Sequence, residues 1–174
     1  YRIRLMTESK ASIGLTNPKS PTNVGAVMRA AGCYQVSSVC YTGERYARAA
    51  KFNTDTKSVA SKIPLSAVDN FLDAVPAGAK IVCVELVEGA IPLPEYQHPE
   101  NAFYIFGPED GTISQDVVDR ADAVVYIPTI GCMNLAATVN VLLYDRLAKS
   151  STNIAGDALI RKSRDTNNKV RVNS

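Results

Sequence analysis

A chain of 174 residues, 46% of them hydrophobic, fits one domain with a sizeable core and excludes general disorder. No apolar run approaches the roughly 18 residues of a membrane span, and the opening YRIRLMTESK lacks the apolar stretch of a signal peptide, so the expected location is the cytoplasm, with no membrane partner. The net charge of +2 predicts no partner by itself.

In chain order, SIGLT (12–16) reads as a strand. TNVGAVMRAAGC (22–33) reads as a helix, because Val24, Val27, Met28 and Ala31 repeat at i, i+3, i+4, i+7. Thr22 or Asn23 suits its N-cap, and Gly32 stands near its stop. Beside the apolar face runs a second stripe, Gly25, Arg29 and Gly32, in which two residues without side chains flank a long cation. VSSVCYT (36–42) is a second strand, followed by a polar, basic segment (43–62) with partial helical character. AVDNFLDAV (67–75) has a helical pattern closed by Pro76. KIVCVEL (80–86), FYIFG (103–107) and VVYIP (124–128) are three more strands, and ISQDVVDRA (113–121) is a helix. NLAATVNVLLYDRLAK (134–149) is the longest helix, with Leu135, Val139, Leu142 and Leu143 on one side. The domain is expected over 1–150, and 151–174 forms a basic tail, either a flexible arm or an ordered strap.

The strands are short, continuous and rich in β-branched residues, as strands covered on both faces are. Their alternation with helices makes the fold class α/β, a mostly parallel sheet flanked by helices. Residues 1–66 carry ten Lys/Arg against three Asp/Glu, 67–125 two against eleven, and 126–174 seven against three. Basic ends around an acidic middle suit a polyanion-binding face, with ordinary solvated surface as the alternative. Arg45, Arg48 and Lys51, interleaved with Tyr46 and Phe52, are candidate nucleic-acid contacts, since cations and aromatics together serve phosphates and bases, and the resemblance described below makes that nucleic acid RNA. Arg161, Lys162, Arg164, Lys169 and Arg171 form a second candidate patch. The four cysteines are scattered and the chain has one histidine, so no metal is expected and the thiols read as reduced and mostly buried. That histidine, His98, lies in the proline-flanked loop QHPEN and does not read as a catalytic base.

Ligands of open α/β sheets bind at the carboxyl ends of the strands. Three loops there carry unusual chemistry: NPKSPTNVG, FGPEDGTIS (106–114) and IPTIGCMNL (127–135). Taken singly each has an ordinary reading. FGPEDG is a plausible turn, Asn134 a plausible N-cap and Arg29 a plausible ion-pair partner. All three occur at strand–helix junctions of one short chain.

Together, NVGAVMR, FGPEDGTIS and IPTIGCMNLAATVNVLLYD resemble the three ordered motifs of the SPOUT superfamily, specifically its TrmH-like RNA 2′-O-ribose methyltransferases. The matching positions are Asn23, Gly25 and Arg29, then Phe106, Gly107, Glu109 and Ser114, then Ile127, Pro128, Gly131 and Asn134. Thr112 departs where a second glycine is usual, and Cys132 where a serine is usual; cysteine is the weaker hydrogen-bond donor.

The resemblance implies a deep trefoil knot in the C-terminal part, which sequence physics alone would not propose. It implies S-adenosyl-L-methionine (the methyl donor) held in the knot loops, with Leu86, Gly107, Ile127 and Met133 as contacts. Close backbone approach would also account for Gly107 without the resemblance. The implied reaction is methyl transfer to a ribose 2′-hydroxyl of tRNA or rRNA, with tRNA favoured by the compact chain. The implied assembly is a homodimer in which the helix of Arg29 lies at the interface and Arg29 serves the neighbour's cofactor site. Asn23 and Asn134 would orient Arg29 and the substrate, and Glu109 would hold either of these or simply fix its own loop. Two rivals stand beside this reading. One is an RNA-binding protein of the same fold with little or no turnover, to which Thr112 and Cys132 point. The other is a nucleotide-binding oxidoreductase, which lacks the GxGxxG loop it needs.

Overall fold

The computed structural model describes residues 9–52, 62–151 and 155–173. Strand β1 (Lys10–Leu15) leads into α1 (Pro21–Cys33), β2 (Ser38–Tyr41) and α2 (Arg45–Phe52). The chain continues through β3 (Leu65–Ala67), β4 (Lys80–Val84), β5 (Ile91–Pro92) and β6 (Asn101–Phe106). Then follow α3 (Gln115–Arg120), β7 (Ala123–Tyr126), α4 (Leu135–Lys149) and α5 (Asp157–Ser163). The sheet order is β3-β2-β1-β6-β4-β7-β5, and every pairing is parallel. The α/β reading therefore holds. Chain order runs outward in one direction from β1 to β3, whereas β6, β4 and β7 lie on its other side. Their carboxyl ends meet beside the start of α1, where an open sheet of this kind offers a crevice.

Strand alternation divides the core between two faces. Ile13, Leu15, Ala102, Tyr104 and Phe106 face a layer made by α1 (Val24, Val27, Ala30, Ala31) and α4 (Leu135, Val139, Leu142, Leu143). Phe103, Ile105, Cys83 and Ile81 face the other side, against Phe71 and, from α3, Val117 and Val118. A fully buried Val or Leu contributes about 1.5–3 kcal/mol, so these helix faces hold the layers together. Gly14 is required here: a Cβ on it would lie 2.9 Å from the rings of both Phe71 and Phe103.

Three expectations are corrected, and two strands were not expected. The N-cap of α1 is Ser20, whose side chain accepts from the Asn23 N–H, with Pro21 in the first turn; neither Thr22 nor Asn23 serves as the cap. A Ser-Pro pair suits this end better, because proline lacks the N–H that the first turn leaves unpaired. The helix expected over 67–75 is a single 3₁₀ turn, Phe71–Asp73, with Asn70 capping Leu72. Its first residue belongs to β3, which pairs with β2 through Leu65, Ser66 and Ala67. The exposed Ser66 and Ala67 of an edge strand carry no apolar alternation, so the pattern concealed it. The short β5 was not expected either. The thiols divide evenly, with Cys40 and Cys83 buried and Cys33 and Cys132 exposed. The polar 43–62 segment contains α2, and its later part lies largely outside the described residues. In the tail, α5 is helical and presents no buried residue.

Candidate active site at the carboxyl ends of the strands

The loop after β6 binds the loop after β1 through one carboxylate. Glu109 Oε2 accepts from the Lys19 N–H (3.0 Å), and Oε1 accepts from the Ser20 N–H (3.4 Å) and from Asn23 Nδ2 (3.2 Å). An anion at a helix N-terminus is favoured by the free N–H groups and the helix dipole. Partial burial pushes the Glu109 carboxyl up, but hydrogen bonds from backbone N–H groups and Asn23 outweigh it and hold the group below its ordinary range. Of the roles open to Glu109, loop fixation is the one its contacts display. The neighbouring Asp110 makes a bidentate pair with Arg45 (2.7 and 2.9 Å). Arg45 also donates to the Asn17 carbonyl from Nε (3.2 Å) and Nη2 (2.7 Å). The loops after β1 and β6 and the start of α2 are thus tied together.

At the end of β7, Pro128 and a turn at Gly131 (φ +86°) lead to Asn134. Asn134 caps α4 by accepting from the Ala137 N–H (2.8 Å). Between the loops opens a cavity of about 410 Å³. The end of β4 contributes Glu85 and Leu86; the end of β6 contributes Phe106, Gly107 and Glu109. The β7 loop contributes Ile127, Cys132, Met133 and Asn134, and α1 contributes Asn23. Two carboxylates and no Lys, Arg or His stand among its described lining residues. Such a wall favours a neutral or cationic ligand over a phosphate.

The cavity brings together Leu86, Gly107, Ile127 and Met133, and with them Asn23, Glu109 and Asn134. Arg29 is elsewhere. It lies six residues after Asn23, about 9 Å further along the helix axis, exposed, in a stripe with Thr22, Gly25, Ala26 and Gly32. A Cβ at Gly25 or Gly32 would meet nothing within 4 Å. The candidate RNA contacts on α2 differ among themselves. Arg45 is engaged by Asp110, Arg48 pairs with Glu44 one turn away, and Lys51 is exposed in the last turn. Tyr46 packs edge-on against Tyr41 (4.9 Å), whereas Phe52 is 86% exposed.

His98 is remote from this chemistry, before the amino end of β6. Its Nδ1 lies 2.7 Å from Tyr104 Oη and its Nε2 2.7 Å from Asp145 Oδ2. Burial pushes the imidazole down, against the upward pull of Asp145. The Nε2–H tautomer fits every neighbour: Arg146 donates to Tyr104 (2.9 Å), Tyr104 to Nδ1, and Nε2–H to Asp145.

One charged residue of the cavity went unnoticed in the sequence. Glu85 stands where the apolar run KIVCV ends, at the carboxyl end of a central strand. A lone charge at that position was the available signal.

The sequence model of the SpoU rRNA methylase family matches residues 10–144, spanning all three loops. The chain belongs to the SpoU rRNA methylase family. It shares its fold with an rRNA methyltransferase from Sinorhizobium meliloti with AdoMet bound, at a TM-score of 0.68, 19% identity, and coverage of 81% of this chain and 57% of that one. A structure titled for the 2-OH methylation of C/U34 on tRNA aligns at 0.67 and 23% identity, covering 82% of this chain and 97% of that one. The SpoU methyltransferase AviRb from Streptomyces viridochromogenes, with AdoMet, aligns at 0.68 and 18% identity, covering 82% and 58%. The chain thus spans little more than half the length of the first and the last of these proteins and nearly all of the tRNA-related one. No curated protein matches the sequence. Among the described residues, no helix of this SpoU family chain is long and apolar enough to cross a membrane.

Proposed function

We propose that the chain is an S-adenosylmethionine-dependent methyltransferase that modifies a ribose 2′-hydroxyl of RNA as a homodimer. The observation that carries this reading is the cavity itself, in which three loops far apart in sequence converge on one site with no cation in its described wall. The residues fit the cofactor. Leu86, Ile127, Met133 and Leu135 offer apolar walls to a neutral purine, and nothing in the described lining opposes a positive charge. When bound, the cofactor supplies a methyl group already activated on a sulfonium. Asn23, its amide fixed by donation to Glu109, is held at the cavity mouth to orient an entering hydroxyl. Asn134 holds the amino end of α4 beside it.

Arg29, outside its own cavity, is assigned to the cavity of the second copy. There it would donate to a phosphate and to the ribose oxygen as charge develops on it. A guanidinium carries five N–H donors and no acceptor, which fits a donor rather than a base. Exposed Val141 and Tyr144 on α4 lie on the helix that packs against α1, and the two exposed faces together suit a self-complementary interface. The C-terminal trefoil knot belongs to this proposal. So does the division into a domain over 1–150 and a basic tail. Transfer RNA is the favoured substrate, because the structure concerned with tRNA matches over nearly its whole length; ribosomal RNA is the alternative.

Radiolabelled methyl transfer to separated tRNA and rRNA, followed by mapping of the modified nucleotide, tests the reading. Arg29→Ala is expected to abolish transfer while cofactor affinity stays within about twofold, as expected for a group that acts on the transition state. Equal loss of both would make Arg29 structural.

A further inference from the structure

The cavity holds two carboxylates with different commitments. Both oxygens of Glu109 are occupied by the start of α1. Glu85 has one oxygen occupied: Oε1 accepts from the N–H of Leu86 at 3.0 Å. That bond pins the carboxylate across Gly107, with Oε2 lying 2.2 Å from where a Cβ of that glycine would be. Gly107 therefore lacks a side chain because the Glu85 carboxylate fills its place, a reason different from close approach of a ligand. Oε2 has no hydrogen-bond partner among the described residues, and Glu85 lines the cavity.

We infer that Glu85 is the residue by which this cavity prefers a cationic methyl donor to its neutral product. The inference rests on the proposed cofactor. Transfer of the methyl group to a hydroxyl oxygen breaks the sulfur–methyl bond, returns that electron pair to sulfur, and releases the hydroxyl proton. Donor and product, S-adenosylmethionine and S-adenosylhomocysteine, then differ by one methyl group and one positive charge, on the sulfur. A wall that only packs and hydrogen-bonds would hold the two about equally. A fixed carboxylate with a free oxygen, in a partly enclosed site without a described cation, attracts the charged form selectively. Glu85 is thus a specificity-determining residue: it strengthens the hold on the donor and leaves the hold on the spent product nearly unchanged, which opposes product inhibition.

The test is calorimetric titration of the full chain and its variants with S-adenosylmethionine and with S-adenosylhomocysteine. Glu85→Gln keeps an oxygen for the Leu86 N–H and removes the charge. It is expected to lower donor affinity about tenfold and product affinity less than about threefold. Glu85→Asp, which retains the charge, is expected to keep more of the preference than Gln does. Equal losses for both ligands would mean that Glu85 reads a group the two share, and no loss would mean that it reads neither; either result overturns the inference. Should Glu85→Gln fail to fold, Glu85→Ala serves instead, because it removes the charge without adding a group to the cavity. The same selective loss is expected, and its absence is equally fatal. Wild-type protein that binds neither ligand would defeat the proposed function itself, a result distinct from all of these.

Discussion

Glu109 uses both carboxylate oxygens to hold the backbone where α1 begins, and Asn23 donates to the same group. Removing it frees two N–H groups and an amide at once. Glu109→Ala is expected to cost about 1 kcal/mol, the usual worth of a helix cap, and to lower the melting temperature by about 2–4 °C. Loss of transfer out of proportion to that shift would show that Asn23 had lost its orientation. Gly14→Ala is predicted to be the costlier change although it lies away from the cavity. Its methyl group would be driven into Phe71 and Phe103, and overpacking costs about 1–3 kcal/mol; denaturant titration measures it. Residues that line the cavity were legible in the sequence where an ordered motif carried them, as with Gly107, Asn134 and Met133. What Gly107 accommodates was not legible, because the carboxylate beside it comes from a strand 22 positions earlier in the sequence.

At the scale of elements, the strands and long helices followed from hydrophobic period because they are buried on the faces the period predicts. β3 and the 3₁₀ turn at Phe71 did not, since an exposed edge and a capped turn leave little apolar signal. Helix α4 shows how a polar contact can set an element without announcing itself. Its last turns carry Asp145, Arg146 and Lys149. Arg146 reaches Tyr104 on β6 and the carbonyls of Pro99 and Glu100, and Lys149 reaches the carbonyls of Leu93 and Tyr96. His98 sits between Tyr104 and Asp145, with Arg146 and Lys149 close by and the Tyr96 ring 5.1 Å away. Its folded pKa is lowered from 6.5, chiefly by burial. The unfolded chain therefore takes up the proton first. The stabilisation is full above about pH 6.5 and is lost as pH falls from there through the lower folded value. His98→Gln is expected to flatten the fall in melting temperature over that window. An unchanged slope would mean that His98 is already charged in the folded protein.

At the scale of the whole molecule, the cavity and Arg29 belong to one chain but not to one place. Asn23 faces the cavity, whereas Arg29, further along the same helix, faces outward in a stripe of small residues. If the second copy completes the site, two defective chains can restore one another. Arg29→Ala keeps its cavity and lacks the cation. Gly107→Leu keeps the cation and loses its cavity, because the larger side chain must displace Glu85. Each mixed dimer then contains one site with both defects and one with neither. Equal amounts of the two variants, dissociated and reassociated at random, should recover roughly a quarter of wild-type transfer, given a symmetric two-fold assembly. Each variant alone should stay inactive. If Arg29 instead serves its own cavity, every site in the mixed dimer carries a defect and mixing recovers nothing. The experiment needs no knowledge of which RNA nucleotide is modified, so it decides the architecture of the site separately from its substrate.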